Sequence, residues 1–92
     1  MAGINYLINT ENGHFKVWGY QSMKDTKTEL WHIITFWGRI GQNISTMAKK
    51  ELIDIDYWKA REYVENKTRE KTNNGYREIP NYLEYCEKIK TI

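Results

Sequence analysis

Trp37-Gly38-Arg39-Ile40-Gly41 ends an apolar run over residues 30–36, and that run predicts a β-strand. The motif puts an aromatic ring beside a fixed positive charge, and its glycines allow the backbone to turn sharply. An aromatic ring next to a cation suits sugars, nucleobases and phosphates. Two alternatives stay open at this point: Trp37 covers the sheet edge in a packed turn, and Arg39 forms an ordinary surface ion pair.

The first half of the chain predicts a meander of antiparallel strands. Residues 6–8 form a short apolar run, and Asn12-Gly13 is a strong turn signal before the aromatic run of residues 15–20. Residues 22–29 are polar and indicate an exposed loop. Residues 43–48 alternate polar and apolar side chains, as expected for a strand with one face on the core. We therefore expect a hairpin, the strand that ends at Trp37, and a fourth strand over residues 43–48.

The second half begins with one long helical pattern. Asp54 or Asp56 is a suitable N-cap, and Asn73-Asn74-Gly75 marks the end of a run without glycine or proline. At 100° per residue, one stripe should lie across the sheet; it contains Tyr57, Ala60, Val64 and Thr68, flanked by Tyr63.

Two lysines lie near this stripe at the C-terminal end of the predicted helix. Lys67 and Lys71 favour the negative end of the helix dipole and are long enough to extend out of the core. If the helix crosses the sheet, Lys71 projects beside the turn that follows Trp37. We therefore treat Lys71 as a candidate contact.

Length and composition exclude several classes of protein. A chain of 92 residues forms one small domain, with its core at about residues 4–79 and a tail over 80–92 that is either a short helix or an extended flap. No apolar run approaches the ~20 residues that span a bilayer, the N-terminus lacks the pattern of a secretory signal, and Cys86 is the only cysteine. We expect a cytoplasmic protein without a membrane partner or an internal disulfide.

The charge and the reactive groups give little support to an enzyme. The net charge of +2 is small, although residues 59–77 carry six basic residues against three acidic ones, a pattern usual for a solvated helix face. The reactive side chains show no catalytic or metal-binding spacing; they are His14, His32, Cys86, Asp54 and Asp56. We expect no catalytic residues, no metal and no cofactor.

The motifs occur in the order found in WGR domains, and the chain resembles that family over most of its length. WGR domains occur in DNA-dependent poly(ADP-ribose) polymerases and in short bacterial proteins. The resemblance is carried by Gly13-His14-Phe15-Lys16-Val17-Trp18, by Trp37-Gly38-Arg39-Ile40-Gly41 with Gln42, by Ala60 and Val64, by Lys71-Thr72-Asn73-Asn74-Gly75-Tyr76, and by Ile79-Pro80-Asn81-Tyr82. It implies an α+β fold, in which one helix packs across a small twisted antiparallel sheet of four to five strands.

The resemblance also implies a non-catalytic module that binds DNA ends or strand breaks. In the polymerases the motif tryptophan packs on the sugar of a terminal nucleotide, and the arginine with nearby groups contacts the strand end and neighbouring domains. Carried over, the implied nucleic-acid-binding residues are Trp37, Gly38 and Arg39, with Lys71, Asn73 and Tyr76 as weaker candidates. The basic pair Lys49 and Lys50 is added from charge alone.

The ligand remains open between classes of macromolecule. DNA ends are the expected ligand and RNA is a second nucleic acid that such a site admits. The alternative is an adaptor that presents the same face to a partner enzyme. A nucleic-acid binder should lose affinity steeply as salt rises, whereas an adaptor should keep its partner after nuclease treatment.

Overall fold

The computed structural model describes residues 3–90. In this range the strands are β1 (Ile4–Asn9), β2 (Lys16–Lys24), β3 (Trp31–Arg39), β4 (Ala48–Ile55) and β5 (Arg77–Glu78), and the α-helices are α1 (Tyr57–Asn73) and α2 (Tyr82–Lys90). The strands form one antiparallel sheet in the order β4-β3-β2-β1-β5. The predicted α+β class, a small antiparallel sheet with a helix packed on it, is confirmed.

The register of the central strands decides which side chains share a face. Trp18 on β2 lies opposite Leu7 on β1 and opposite Trp37 on β3. Directly opposed residues point to the same side of a sheet, and successive residues alternate between its two sides. The predicted hairpin around Asn12-Gly13 is confirmed, and the meander brings this turn and the turn after Arg39 to the same end of the sheet.

The sheet has a helix on each face. Tyr82 of α2 is buried in the core cluster with Ile8, Val17 and Phe36. On the other face α1 packs against β3, with Ala60 buried in its first turn. The C-terminal tail is therefore a helix rather than an extended flap, and this helix contributes to the core through Tyr82.

Two strand boundaries differ from the prediction. The prediction of a strand over residues 43–48 is wrong: a 3-10 turn, Ile44–Thr46, precedes β4, which begins only at Ala48. The side chain of Asn43 accepts a hydrogen bond from the Ser45 N–H (3.0 Å), and this local partner favours a turn over a strand. The exposed loop is also shorter than predicted, because residues 22–24 continue β2 and pair with β3.

Helix α1 begins directly after one of the two residues predicted as its N-cap. Asp56 is the N-cap and accepts a hydrogen bond from the Lys59 N–H (2.8 Å), whereas Asp54 lies within β4. The predicted stripe packs on the sheet through buried Ala60 and half-buried Val64, but Tyr57 is exposed. This packing directs the C-terminal end of α1 toward the turn after Arg39.

Candidate nucleic-acid interface

The turn after Trp37 is held by the side chain of Gln42. The Gln42 amide oxygen accepts a hydrogen bond from the Arg39 N–H (3.0 Å), and its amide nitrogen donates to the carbonyl and hydroxyl oxygens of Thr46 (both 3.1 Å). A Cβ at position 38 would overlap Gln42 Oε1. A side chain at position 38 would therefore have to displace the Gln42 side chain, whose hydrogen bond fixes the backbone of Arg39.

Gly41 connects the same turn to the core. It adopts a φ of +89°, which favours glycine, and its N–H donates to the Tyr82 hydroxyl oxygen (3.0 Å). The Tyr82 ring stacks on Tyr6 at 4.4 Å between centroids. Burial raises the pKa of Tyr82 to about 12, with Cys86 and Tyr6 acting in the same direction and the Gly41 hydrogen bond acting against them.

The end of α1 is anchored beside the β1–β2 turn. The buried Asn9 side chain donates to the Asn74 carbonyl oxygen (3.2 Å) and accepts from the Glu11 N–H (3.0 Å). The Tyr76 N–H donates to the Lys71 carbonyl oxygen (3.0 Å) and closes the last helical turn. Lys71 and Tyr76 are thereby held at the end of the sheet where the motif turn lies.

These anchors form a cleft of about 600 Å³ between the two turns and the end of α1. We call this the motif cleft. Five of its lining residues were predicted to belong to one site, and the structure brings them together: Trp37, Gly38, Arg39, Lys71 and Tyr76. The remaining lining residues belong to the β1–β2 turn and the start of β2, residues 13–17.

Trp37 presents its ring to the motif cleft. The Trp37 side chain lies on the face of the sheet that α1 covers, directly opposite Trp18. Trp18 is buried, at 3% exposure, whereas Trp37 is 41% exposed. The indole is therefore supported by a packed neighbour on β2 and still has accessible surface. A flat ligand group can stack there without unfolding the sheet.

The motif cleft is electropositive. Lys16 on β2 lies directly opposite Arg39 on β3, and Lys71 approaches from α1. No aspartate or glutamate lines the cleft, and within residues 3–90 none of these three cations forms an ion pair. Three cations without a countercharge form a site that attracts an anion such as phosphate.

Lys71 and Tyr76 form one wall of the cleft as a pair. Lys71 Nζ lies 5.4 Å from the centroid of the Tyr76 ring, within the range of a cation–π contact. Burial raises the pKa of the Tyr76 hydroxyl. The wall therefore offers a positive charge held over a neutral phenol.

The other predicted contacts lie elsewhere. Asn73 is the exposed last residue of α1 and does not line the motif cleft. Lys50 lies opposite Thr35, on the α1 side of the sheet, whereas Lys49 lies opposite Phe36, on the α2 side. Because adjacent strand residues point to opposite faces, Lys49 and Lys50 do not act as a basic pair on one surface.

None of residues 13–17 was predicted from the sequence as a contact, and two of them have polar side chains. His14 and Lys16 line the motif cleft although they lie more than 20 positions before Trp37. The sequence held a signal for them, because a meander places the β1–β2 turn and the turn after β3 at the same end of the sheet. Converting that topology into a register would have placed Lys16 beside Arg39.

The remaining reactive groups do not assemble into another site. No group of three histidine, cysteine, aspartate or glutamate side chains able to hold a metal occurs in residues 3–90. His32 lies half-buried on β3, with Nε2 4.0 Å from Glu51 Oε1. No helix in the described part of the chain is long and apolar enough to cross a membrane.

The model of the WGR domain matches residues 5–82. This range includes all of α1 and all five strands, apart from Ile4 at the start of β1. Neither the curated proteins nor the solved structures contain a significant match to the chain.

Proposed function

The chain belongs to the WGR domain family, and we propose that it is a non-catalytic module that binds the end of a DNA strand in the motif cleft. One observation carries this proposal: the accessible Trp37 ring and three cations without ion pairs in residues 3–90, Lys16, Arg39 and Lys71, line a single cleft. The ring supplies a stacking surface and the cations supply phosphate contacts. Both are features of nucleic-acid recognition that does not depend on base sequence.

The geometry favours a strand end over the interior of a duplex. Inside a duplex, both faces of every base are covered by their neighbours. A ring such as Trp37 gains a stacking partner only where a nucleotide is terminal or unstacked. The cleft lies between two turns and a helix end at one end of the sheet, and this position supports a strand end over a long rod as the ligand.

The expected contributions of stacking and phosphate contacts to the binding free energy support modest affinity. Stacking of one base on an aromatic ring contributes ~1–3 kcal/mol. Three phosphate contacts would give log K a slope of about −2.7 against log salt on duplex DNA. Together these terms favour micromolar binding at low salt and little sequence preference.

Binding of short fluorescent duplexes tests the proposal. The same sequence is prepared with blunt ends, with a nick, and with both ends closed by hairpin loops, and affinity is measured from 20 to 200 mM salt. We expect the blunt and nicked duplexes to bind more tightly than the closed one, with affinity falling steeply as salt rises. Equal affinity for all three forms, or no binding at 20 mM salt, would refute end recognition.

One observation favours the second candidate function, a protein adaptor. The N-terminal end of α1 and the end of β4 expose apolar surface far from the motif cleft: Trp58 is 70% exposed, and Tyr57, whose ring contacts it, and Ile53 on β4 are also exposed. An adaptor that uses this end of the domain would lose its partner enzyme on Trp58→Ala substitution. Its association would survive nuclease treatment and would not depend on Trp37.

A further inference from the structure

A second depression adjoins the motif cleft on the other side of Trp37. It has a volume of about 200 Å³ and is lined by residues of β2, β3, β4 and α1: Trp18, Thr35, Trp37, Lys50, Tyr63, Lys67 and Lys71. We call it the lysine pocket. Trp37 and Lys71 line both the motif cleft and the lysine pocket, so the two spaces share these two residues.

The fold builds the lysine pocket from two regular spacings. Across the sheet, Trp18 opposes Trp37 and Thr35 opposes Lys50, so these four side chains share the α1 face. Along α1, Tyr63, Lys67 and Lys71 recur every four residues and therefore form one row along the helix. The sheet supplies a buried floor of Trp18 and Thr35, and the helix supplies a wall.

The pocket combines aromatic surface with positive charge. Lys50 Nζ lies 6.0 Å from the centroid of the Tyr63 ring, and no acidic residue lines the pocket. Lys67 pairs with Glu70 at 3.5 Å, whereas Lys50 and Lys71 form no ion pair within the described range. Lysines that ring a small aromatic floor suit a ligand with a π face and a phosphate.

A nucleotide fits this chemistry better than a protein segment. Lysine is depleted from the centres of protein–protein interfaces, and here three lysines surround the pocket. The pocket lies between α1 and the sheet, so we expect that a base pair stacked within a duplex does not enter it. An unpaired nucleotide does, because its base is free to leave the stack.

We propose that the lysine pocket holds an unpaired nucleotide of the strand whose end occupies the motif cleft, so that the protein prefers DNA ends with a single-stranded overhang. This inference rests on the proposed function, because Trp37 lies between the two nucleotides. In this proposal the unpaired base of an overhang stacks on Tyr63, and its phosphate contacts Lys50. A blunt end makes neither contact. Neither residue lines the motif cleft.

The test compares blunt duplexes with duplexes that carry one or three unpaired nucleotides on either the 5′ or the 3′ strand. For the unaltered protein we expect about tenfold tighter binding to one overhang polarity than to the blunt form. Tyr63→Leu and Lys50→Ala should each reduce this preference at least threefold and leave blunt-end affinity unchanged. Tyr63→Phe, which keeps the ring, should retain it.

Controls separate the inference from the proposed function and from misfolding. Lys27→Ala removes an exposed lysine from the loop at the opposite end of the sheet and should change nothing. Thermal unfolding and circular dichroism of each variant confirm the fold. Equal binding of blunt and overhanging ends, or a preference that Tyr63→Leu and Lys50→Ala both leave intact, overturns the inference alone. Absence of binding to every DNA overturns both the inference and the proposed function.

Discussion

Lys16 and Arg39 lie directly opposite each other on adjacent strands, so two cations share the mouth of the motif cleft. Like charges in directly opposed positions destabilise an antiparallel pair, and no acidic side chain lines the cleft to offset them. A bound phosphate would relieve this repulsion. We therefore expect the pair to lower the stability of the free protein slightly and a bound anion to offset that cost.

Substitution of Lys16 should separate folding from binding. We expect Lys16→Ala to leave the free energy of unfolding unchanged or to raise it by up to about 0.5 kcal/mol, because the repulsion with Arg39 is removed. The same change should weaken DNA binding and reduce the slope of log K against log salt by about 1. Urea unfolding and a salt titration measure the two effects; destabilisation by more than 1 kcal/mol would show that Lys16 has a structural role instead.

Gly38 and Gln42 should be energetically coupled. A Cβ at Gly38 displaces the Gln42 side chain and breaks its hydrogen bonds to Arg39 and Thr46, so we expect Gly38→Ala to cost ~1–3 kcal/mol of stability. In a Gln42→Ala background that side chain is already absent and only the closer approach to Met47 Cγ remains, so the same substitution should cost less than half as much. Chemical unfolding of the four proteins gives the coupling energy. Additive effects would mean that Gly38 is required for a reason other than Gln42.

High pH should destabilise the fold through Tyr82. The phenol pKa is raised from 10.0 to about 12, so the folded protein holds this proton more tightly than the unfolded chain. Its contribution to stability is complete below about pH 10 and is lost as pH rises toward 12. Tyr82→Phe should cost ~1 kcal/mol at pH 7, because the Gly41 N–H loses its acceptor, and should flatten the fall between pH 10 and 12.

Some loss of stability above pH 10 should remain in the Tyr82→Phe variant, because other tyrosines also have raised pKa values. Burial also raises the pKa values of Tyr6, Tyr20 and Tyr76. Denaturant unfolding at pH 7, 10 and 11.5 for both proteins measures the difference. Parallel pH profiles for the two proteins would contradict the assignment to Tyr82.

The order of elements was predictable because local signals agree with the fold. Asn12-Gly13 marks the first hairpin, and Asp56 caps the helix where its apolar stripe begins. The failure at residues 43–48 has a local cause as well. Ile44 and Met47 are three positions apart, which does not match the two-residue repeat of a strand face, and the Asn43 side chain satisfies the Ser45 backbone and favours a 3-10 turn.

The site was predictable only as far as its residues follow one another in the motifs. Trp37, Arg39 and Lys71 were predicted to lie together, and they do. Lys16 was missed and Lys49 was grouped with Lys50, because the face that a strand residue occupies depends on register across strands. Composition contains no information on register, so charge alone did not predict which face of the sheet each lysine occupies.

Replacement of Trp37 by alanine is the most direct test of the account, with Trp58→Ala as the matched control. Trp58 is the more exposed of the two tryptophans and lies at the far end of α1, so its loss should leave DNA binding unchanged. We predict that Trp37→Ala weakens binding of a blunt-ended duplex at least tenfold at low salt and removes the preference for ends over closed DNA. Equal affinity of the two variants for that duplex would contradict the assignment of the motif cleft as a DNA-end site.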